Sequence, residues 1–207
     1  MKITLLNGSP RLNNSTTKKL LSYIKSNIEA KSTDSTFTEI TWKDSSIPED
    51  TDILIIGSPL YYDSLPGFFL GFLENYITTK PHKEMKVYGL INCGFYEGTQ
   101  NKTGLMIMES FAEEAGFSWC GGLGIGGGGL FPAFEYIPDF TPIKKPVLKA
   151  LEDFSENIRL NKTMVNTYTQ PNCTWTLYKL GGEASWKQNA KANGLTTKDL
   201  YATPLLD

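Results

Sequence analysis

The sequence predicts an α/β fold, a three-layer sandwich in which a five-stranded parallel sheet of order 2-1-3-4-5 carries helices on both faces. Three observations predict it. Short apolar runs alternate five times with segments whose apolar residues recur at helical spacing, the pattern of parallel strands joined by helical crossovers. The run Ile53-Leu54-Ile55-Ile56 is apolar at every position, as a strand buried on both faces must be. Three loops of unusual composition follow strands one, three and four. They share the carboxyl end of the sheet, where open sheets of this kind bind ligands at the switch point between strands one and three.

The elements follow in order. Lys2 to Leu6 is a buried strand, and Leu20, Leu21, Ile24 and Ile28 lie on one face of the helix after it. Thr36 to Trp42 alternates β-branched or apolar residues with polar ones, as an edge strand does. Asp52 to Gly57 is the central strand, and Pro66 suits the first turn of a helix carrying Phe69, Leu70, Phe72, Leu73 and Ile77. Lys86 to Asn92 is the fourth strand. A helix from about Thr103 to Ala115 places Ile107, Met108, Phe111 and Ala115 at helical spacing. Phe117 to Cys120 opens a fifth strand that runs into seven glycines among residues 121–129. Those glycines read either as a flexible loop or as room for a second ring over a bound one. A last helix spans Pro146 to about Arg159.

Length and composition narrow the function. The chain has 207 residues, 40% apolar and 20% charged, enough for one domain with a proper core. Twenty basic against twenty-two acidic residues leave a net charge of −2, which gives nucleic acid no basic surface to find. No run reaches the ~20 apolar residues of a membrane helix, and the first apolar run is too short for a signal peptide. Cys93, Cys120 and Cys173 are too far apart for a metal or redox motif, and three is a poor number for a disulfide framework. A cytoplasmic protein without metal, membrane or nucleic-acid partner is expected. Four matches to the N-glycosylation pattern, at Asn14, Asn101, Asn161 and Asn172, then read as chance.

The loop Asn7-Gly8-Ser9-Pro10-Arg11-Leu12-Asn13-Asn14-Ser15-Thr16 lies between the first strand and the first helix. A helix start offers unpaired amides and the positive end of its dipole. Gly8 allows a close bend, Ser9, Ser15 and Thr16 add hydroxyls, and Arg11 adds a forked cation. That set suits a phosphate monoester, although Ser, Asn and Thr here are also ordinary capping residues. The loop lacks Gly-Lys-Ser/Thr and G-x-G-x-x-G, which argues against a nucleoside triphosphate and the usual dinucleotide fingerprint. Ser58 to Pro66 puts Leu60, Tyr61 and Tyr62 between two prolines, a stiff aromatic wall. Asn92 to Thr99 carries Gly94 and Gly98, which let backbone amides approach a flat ring edge. A phosphate at one end and a wide ring with polar edges at the other fit flavin mononucleotide.

Gly8-Ser9-Pro10-Arg11…Ser15-Thr16 and Ser58-Pro59-Leu60-Tyr61…Pro66 resemble the phosphate loop and the S-P-x-Y-x-x-x-x-P loop of flavodoxin-like NAD(P)H-dependent FMN reductases and quinone reductases. The motifs cover the first 70 or so residues, and the strand–helix alternation extends the likeness to about residue 160. The resemblance implies a flavodoxin-like fold, FMN as cofactor and NADH or NADPH as co-substrate. It implies hydride passage from the nicotinamide to N5 of the flavin, then on to a small electron acceptor such as a quinone, a nitro or azo compound, or free flavin. It assigns the FMN phosphate to Ser9, Arg11, Ser15 and Thr16, with Asn13 beside them. The ring falls to Pro59, Leu60 and Tyr61, and to Asn92, Gly94, Phe95 and Gly98. It also implies a homodimer, and no iron–sulfur cluster, because the compact cysteine motif of one branch is absent. A one-electron carrier and an FMN-binding module without turnover are the rival functions; an acidic carrier with a T-x-T-G-x-T loop differs from this chain at Arg11 and in charge.

No side chain is assigned a catalytic part, because the cofactor carries the hydride. His82, Cys93 and the pair Glu113 and Glu114 read as structural or solvated residues. Residues 1–160 form the FMN-binding domain in this reading. Residues 161–207 form a C-terminal extension whose Tyr168, Trp175, Tyr178 and Trp186 are too many aromatics for a solvated tail; it packs on the same domain or on a partner subunit.

Overall fold

The computed structural model describes residues 1–44, 46–79 and 84–202; His82 lies outside the described residues. The element order is β1 (Lys2–Asn7), α1 (Thr16–Glu29), β2 (Thr36–Thr41), β3 (Ile53–Pro59), α2 (Gly67–Thr79), β4 (Lys86–Asn92), α3 (Lys102–Glu114), β5 (Ser118–Ile125), the four-residue α4 (Phe131–Phe134), α5 (Lys145–Arg159), β6 (Thr167–Thr169) and α6 (Trp175–Ala192). The sheet order is β2-β1-β3-β4-β5-β6, and every neighbouring pair is parallel.

Six strands, not five, make the sheet. The order of the first five is as expected, but Leu123, Gly124 and Ile125 pair with Thr167, Tyr168 and Thr169. Three residues with no apolar run give β6 no signature in sequence. It forms because β5 would otherwise leave an open edge, and covering it satisfies backbone groups that nothing local can reach. The compact unit that holds the sheet therefore runs from Met1 to Asn172, past the boundary expected at residue 160.

The core has two halves, one on each face of the sheet. Ile3, Leu5, Ile53, Ile55, Tyr88 and Leu90 join Leu20, Leu21, Ile24 and Ile28 of α1 and Val147, Leu151, Phe154 and Ile158 of α5. Leu6, Leu54, Ile56, Val87 and Ile91 join Phe69 and Leu73 of α2 and Leu105, Met108 and Phe111 of α3. The alternation Ile53–Leu54–Ile55–Ile56 thus feeds both halves, as period-two geometry requires. All seven residues of β3 are buried, and each large aliphatic side chain placed this way contributes about 1.5–3 kcal/mol. Of the residues named for the third helix, Met108 and Phe111 are fully buried while Ile107 and Ala115 are partly so. Glu113 and Glu114 are exposed.

Much of the glycine-rich stretch belongs to the sheet, since residues 121–125 complete β5. Their glycines leave space for neighbours and do not make a flexible loop. A Cβ on Gly122 would come within 2.5 Å of Leu105 Cδ2, and one on Gly124 within 2.8 Å of both Asn101 and Tyr168 side chains. Beyond α4 the chain is pinned by buried Lys144, whose Nζ donates to the carbonyls of Phe134 (2.8 Å) and Ile137 (2.9 Å) and pairs with Asp139.

Residues from Cys173 onward form a second compact unit. The Thr174 hydroxyl caps α6 by accepting from the Leu177 amide at 3.2 Å, and a capping box joins Thr196 to Asp199. Only Ala190 of α6 is buried, and Trp175 and Trp186 are exposed. No helix among the described residues is long and apolar enough to cross a membrane.

Candidate functional site

The three loops lie where the sheet changes direction. β1 is flanked by β2 on one side and β3 on the other, so the loops after β1, β3 and β4 open at one end of neighbouring strands. Leu60 N–H donates to Asn92 O (2.9 Å) and Gly8 N–H to Gly57 O (2.8 Å), which ties the loops to one another.

In the first loop most amides are already used. Ser9 N–H donates to Asn7 Oδ1, Arg11 N–H to Ser9 Oγ, Leu12 N–H to Ser9 O and Asn14 N–H to Arg11 O. Leu12 takes a positive φ of 46° to close this turn. The amides of Ser15, Thr16 and Thr17 at the start of α1 have no protein acceptor among the described residues. They are the orphan donors of a helix N-terminus. The cations nearby are not equivalent. Lys18 pairs with Glu39 and Lys19 with Glu135, whereas exposed Arg11 has no partner among the described residues. The loop thus carries one guanidinium and three helix-start amides without a partner among the described residues.

Individual hydroxyls divide differently from the sequence expectation. Ser15 Oγ donates to Leu12 O (2.6 Å) and accepts from Lys18 N–H (3.1 Å), so its hydroxyl works as the cap of α1. Buried Ser9 accepts from Arg11 N–H and retains its own proton to donate. Thr16 Oγ1 has no partner among the described residues. Asn13 is exposed and lines a small cavity of about 130 Å³ with Asn7 and Lys18.

The second loop is a tight turn. Tyr61 and Ser64 exchange both backbone hydrogen bonds, at 2.9 and 3.0 Å, around Tyr62 (φ 50°) and Asp63 (φ 57°). Neither central residue is glycine or asparagine, which this mirror-image turn favours. The double change Tyr62→Asn with Asp63→Gly is expected to raise stability by about 1 kcal/mol, read as a higher midpoint in thermal denaturation. Pro59 and Leu60 are buried, Leu60 in the core beneath the loop, so neither presents a side chain to solvent. Tyr61 is 43% exposed and is the ring this loop offers close to the sheet.

In the third loop Cys93 N–H donates to Ile125 O and Gly98 N–H to Gln170 Oε1 (3.0 Å), while the amides of Phe95 and Glu97 have no protein acceptor among the described residues. Gly98 is buried against Thr169, so its contribution is packing. Gly94 is exposed with nothing within 4 Å of a Cβ position, and Phe95 is 52% exposed. Burial pushes the Cys93 thiol above its ordinary range, against weaker lowering by hydrogen bonds from its surroundings. Its alkylation by iodoacetamide at about pH 8 is expected to be at least tenfold slower in the folded chain than in urea, followed by mass spectrometry of the Cys93 peptide.

Two residues that sequence reading passed over complete the arrangement. Thr17 Oγ1 donates to Asn92 Oδ1 at 2.8 Å, both side chains being buried. This fixes the Asn92 carboxamide and leaves Nδ2 as the group it can offer. Trp42 Nε1–H donates to Ser9 O at 3.2 Å, bracing the first loop from the end of β2. Both are long-range contacts; Thr17 beside the Ser-Thr pair was the only local hint. A separate cavity of about 410 Å³, lined by Asp52, Glu84, Lys86 and Asn161 among others, lies at the other end of the strands.

No family model and no curated protein matches the chain. Solved structures do. An NADH:FMN oxidoreductase in its apo form superposes with a TM-score of 0.55 at 20% identity over 78% of this chain and 89% of that one. Flavodoxin 1 from Bacillus cereus gives 0.56 at 19% identity over 78% and 98%. An FMN-dependent NADH-azoreductase from Bacillus anthracis, solved with FMN, gives 0.54 at 11% identity over 76% and 99%. Identities this low speak for architecture, and they agree with the parallel sheet and its strand order: the chain has the flavodoxin-like fold.

Proposed function

We propose that this chain binds FMN at the three loops and is an NAD(P)H-dependent oxidoreductase of the flavodoxin-like FMN reductase family. The observation that carries the reading is that one loop holds an exposed Arg11 guanidinium and the amides of Ser15, Thr16 and Thr17, all without a partner among the described residues, a donor set suited to a phosphate dianion. A flat ring continuing from that phosphate meets exposed Tyr61, Gly94 and Phe95. The solved relatives of the same fold include an NADH:FMN oxidoreductase and an FMN-dependent NADH-azoreductase, which supports the reading.

A bound FMN supplies hydride acceptance from a nicotinamide and delivery to a small acceptor. The chain's own residues do the rest. Arg11 and the helix-start amides anchor the phosphate, and Ser9 and Thr16 add hydroxyl donors. Asn92, fixed by Thr17, and the amides of Phe95 and Glu97 are donors for the polar edge of the ring. Tyr61 and Phe95 shield its faces from water.

Titrating the purified chain with FMN and with riboflavin tests the phosphate assignment: FMN should bind at least about 100-fold more tightly. Anaerobic mixing of the FMN-loaded chain with NADH and NADPH then tests turnover. Rapid full loss of the flavin absorbance supports a reductase. Persistence of the colour with both nucleotides leaves a carrier or a binding module, and equal affinity for FMN and riboflavin overturns the site.

A further inference from the structure

The turn after β2 and helix α2 enclose a cleft of about 400 Å³, within the size range of small-molecule sites. Its wall is aromatic. Trp42 and Phe68 lie with ring centroids 4.2 Å apart and tilted by 41°, and Phe72 continues the surface. Phe68 is 39% exposed, so the wall faces open space. Its floor is Gly71 in the interior of α2, where a Cβ would meet nothing within 4 Å. Glycine inside a helix is unfavourable relative to alanine, and here no neighbour approaches closely enough to require it. What it provides is depth.

The rim is polar. Asp44 Oδ2 accepts from Thr41 N–H (2.7 Å) and from Thr41 Oγ1–H (2.9 Å), so the carboxylate is held in place while Oδ1 has no partner among the described residues. Asn75 adds an exposed carboxamide opposite. Lys43 Nζ lies 5.3 Å over the Trp42 ring. The same Trp42 donates to Ser9 O, so cleft and phosphate loop share a side chain.

We infer that this cleft takes the adenosine end of a nicotinamide dinucleotide whose sugar has a free 2′,3′-diol, which rests on the oxidoreductase reading above. The base stacks on the Trp42–Phe68 wall over Gly71 with its edge toward Asn75. The ribose hydroxyls donate to the Asp44 carboxylate, and Lys43 meets the 5′-phosphate. A fixed carboxylate accepts from a diol and repels a 2′-phosphate. The cleft therefore selects NADH over NADPH, a choice that no motif in the sequence announces. The cavity between α1 and α5, of about 240 Å³, does not offer this combination: it is lined mainly by Leu20, Tyr23, Phe131, Phe134 and Leu151, with Lys144 already committed.

Calorimetric titration of the full chain with 5′-AMP and with 2′,5′-ADP, with and without FMN, tests the assignment. 5′-AMP is expected to bind in the sub-millimolar range and 2′,5′-ADP about tenfold or more weakly. Gly71→Leu fills the cleft from a position with room for the side chain. It should weaken 5′-AMP binding more than about tenfold, with the thermal midpoint kept or raised and FMN affinity unchanged. Asp44→Asn should bring the two nucleotides to within about threefold of each other. No saturation by 5′-AMP up to about 10 mM, or unchanged binding in Gly71→Leu, overturns the site. An unchanged preference in Asp44→Asn overturns the diol recognition. FMN affinity is measured in the same samples, so loss of nucleotide binding with FMN retained sinks this inference alone. Nucleotide binding in a chain that never takes up FMN sinks the flavin reading instead.

Discussion

Arg11→Glu is expected to release FMN from the purified protein while the fold persists. Arg11 is exposed and its guanidinium has no hydrogen-bond or ion-pair partner among the described residues, so the substitution should move thermal stability by no more than about 0.5 kcal/mol. Its effect on the ligand is far larger. Removing a charge-assisted hydrogen bond costs about 1.5–3 kcal/mol, and placing a carboxylate beside a phosphate dianion adds repulsion. Affinity should fall at least about 100-fold. Lys18 and Lys19 are each already paired with a glutamate. Fluorescence titration with FMN, alongside circular dichroism of the same samples, separates the two effects. A variant that keeps its flavin as tightly as the parent would falsify the phosphate assignment.

The second large effect is at Gly98. A Cβ added there would sit 2.3 Å from Thr169 O and 2.8 Å from Thr169 N. These are backbone atoms of β6, which cannot swing aside as the end of a side chain can. Gly98→Ala should therefore cost about 2–3 kcal/mol, lowering the midpoint of urea denaturation at unchanged slope. The strain falls on both sides of the contact. β6 is pushed from the sheet edge, and the third loop, tied down by the Gly98–Gln170 hydrogen bond, loses its anchor. Weaker FMN binding is expected to accompany the lost stability. Gly94→Ala, four residues earlier with nothing within 4 Å, is the control that should leave stability within about 0.5 kcal/mol.

Both variants sit at residues that were named from the sequence for the ligand. Arg11 was named as a phosphate ligand from its place in the loop, and the structure leaves its guanidinium exposed, with no partner among the described residues. Gly98 was read as a residue that opens the backbone to a ring, whereas it packs against a strand 71 residues away. Ser15 tells the same story on a smaller scale. A serine before a helix can hold a ligand or cap the helix, and the hydrogen bonds to Leu12 and Lys18 decide for capping of the hydroxyl. Leu60 sits in a loop motif yet its side chain turns into the core.

The sequence by itself determined the α/β class, the order of the first five strands, the helices between them and the three loops that meet at one end. The class, the helices and the loops follow from apolar periodicity and turn chemistry, which act over a few residues; the strand order follows from the topology that such an alternation adopts. Tertiary structure alone decided the sixth strand, the burial of the glycines at 121–125 in the sheet, and which loop donors are spent and which are open. It also brought Thr17 to Asn92 and Trp42 to Ser9. Each of these depends on what the distant chain places nearby, because a hydrogen-bonding group is committed or free only relative to its partners in space.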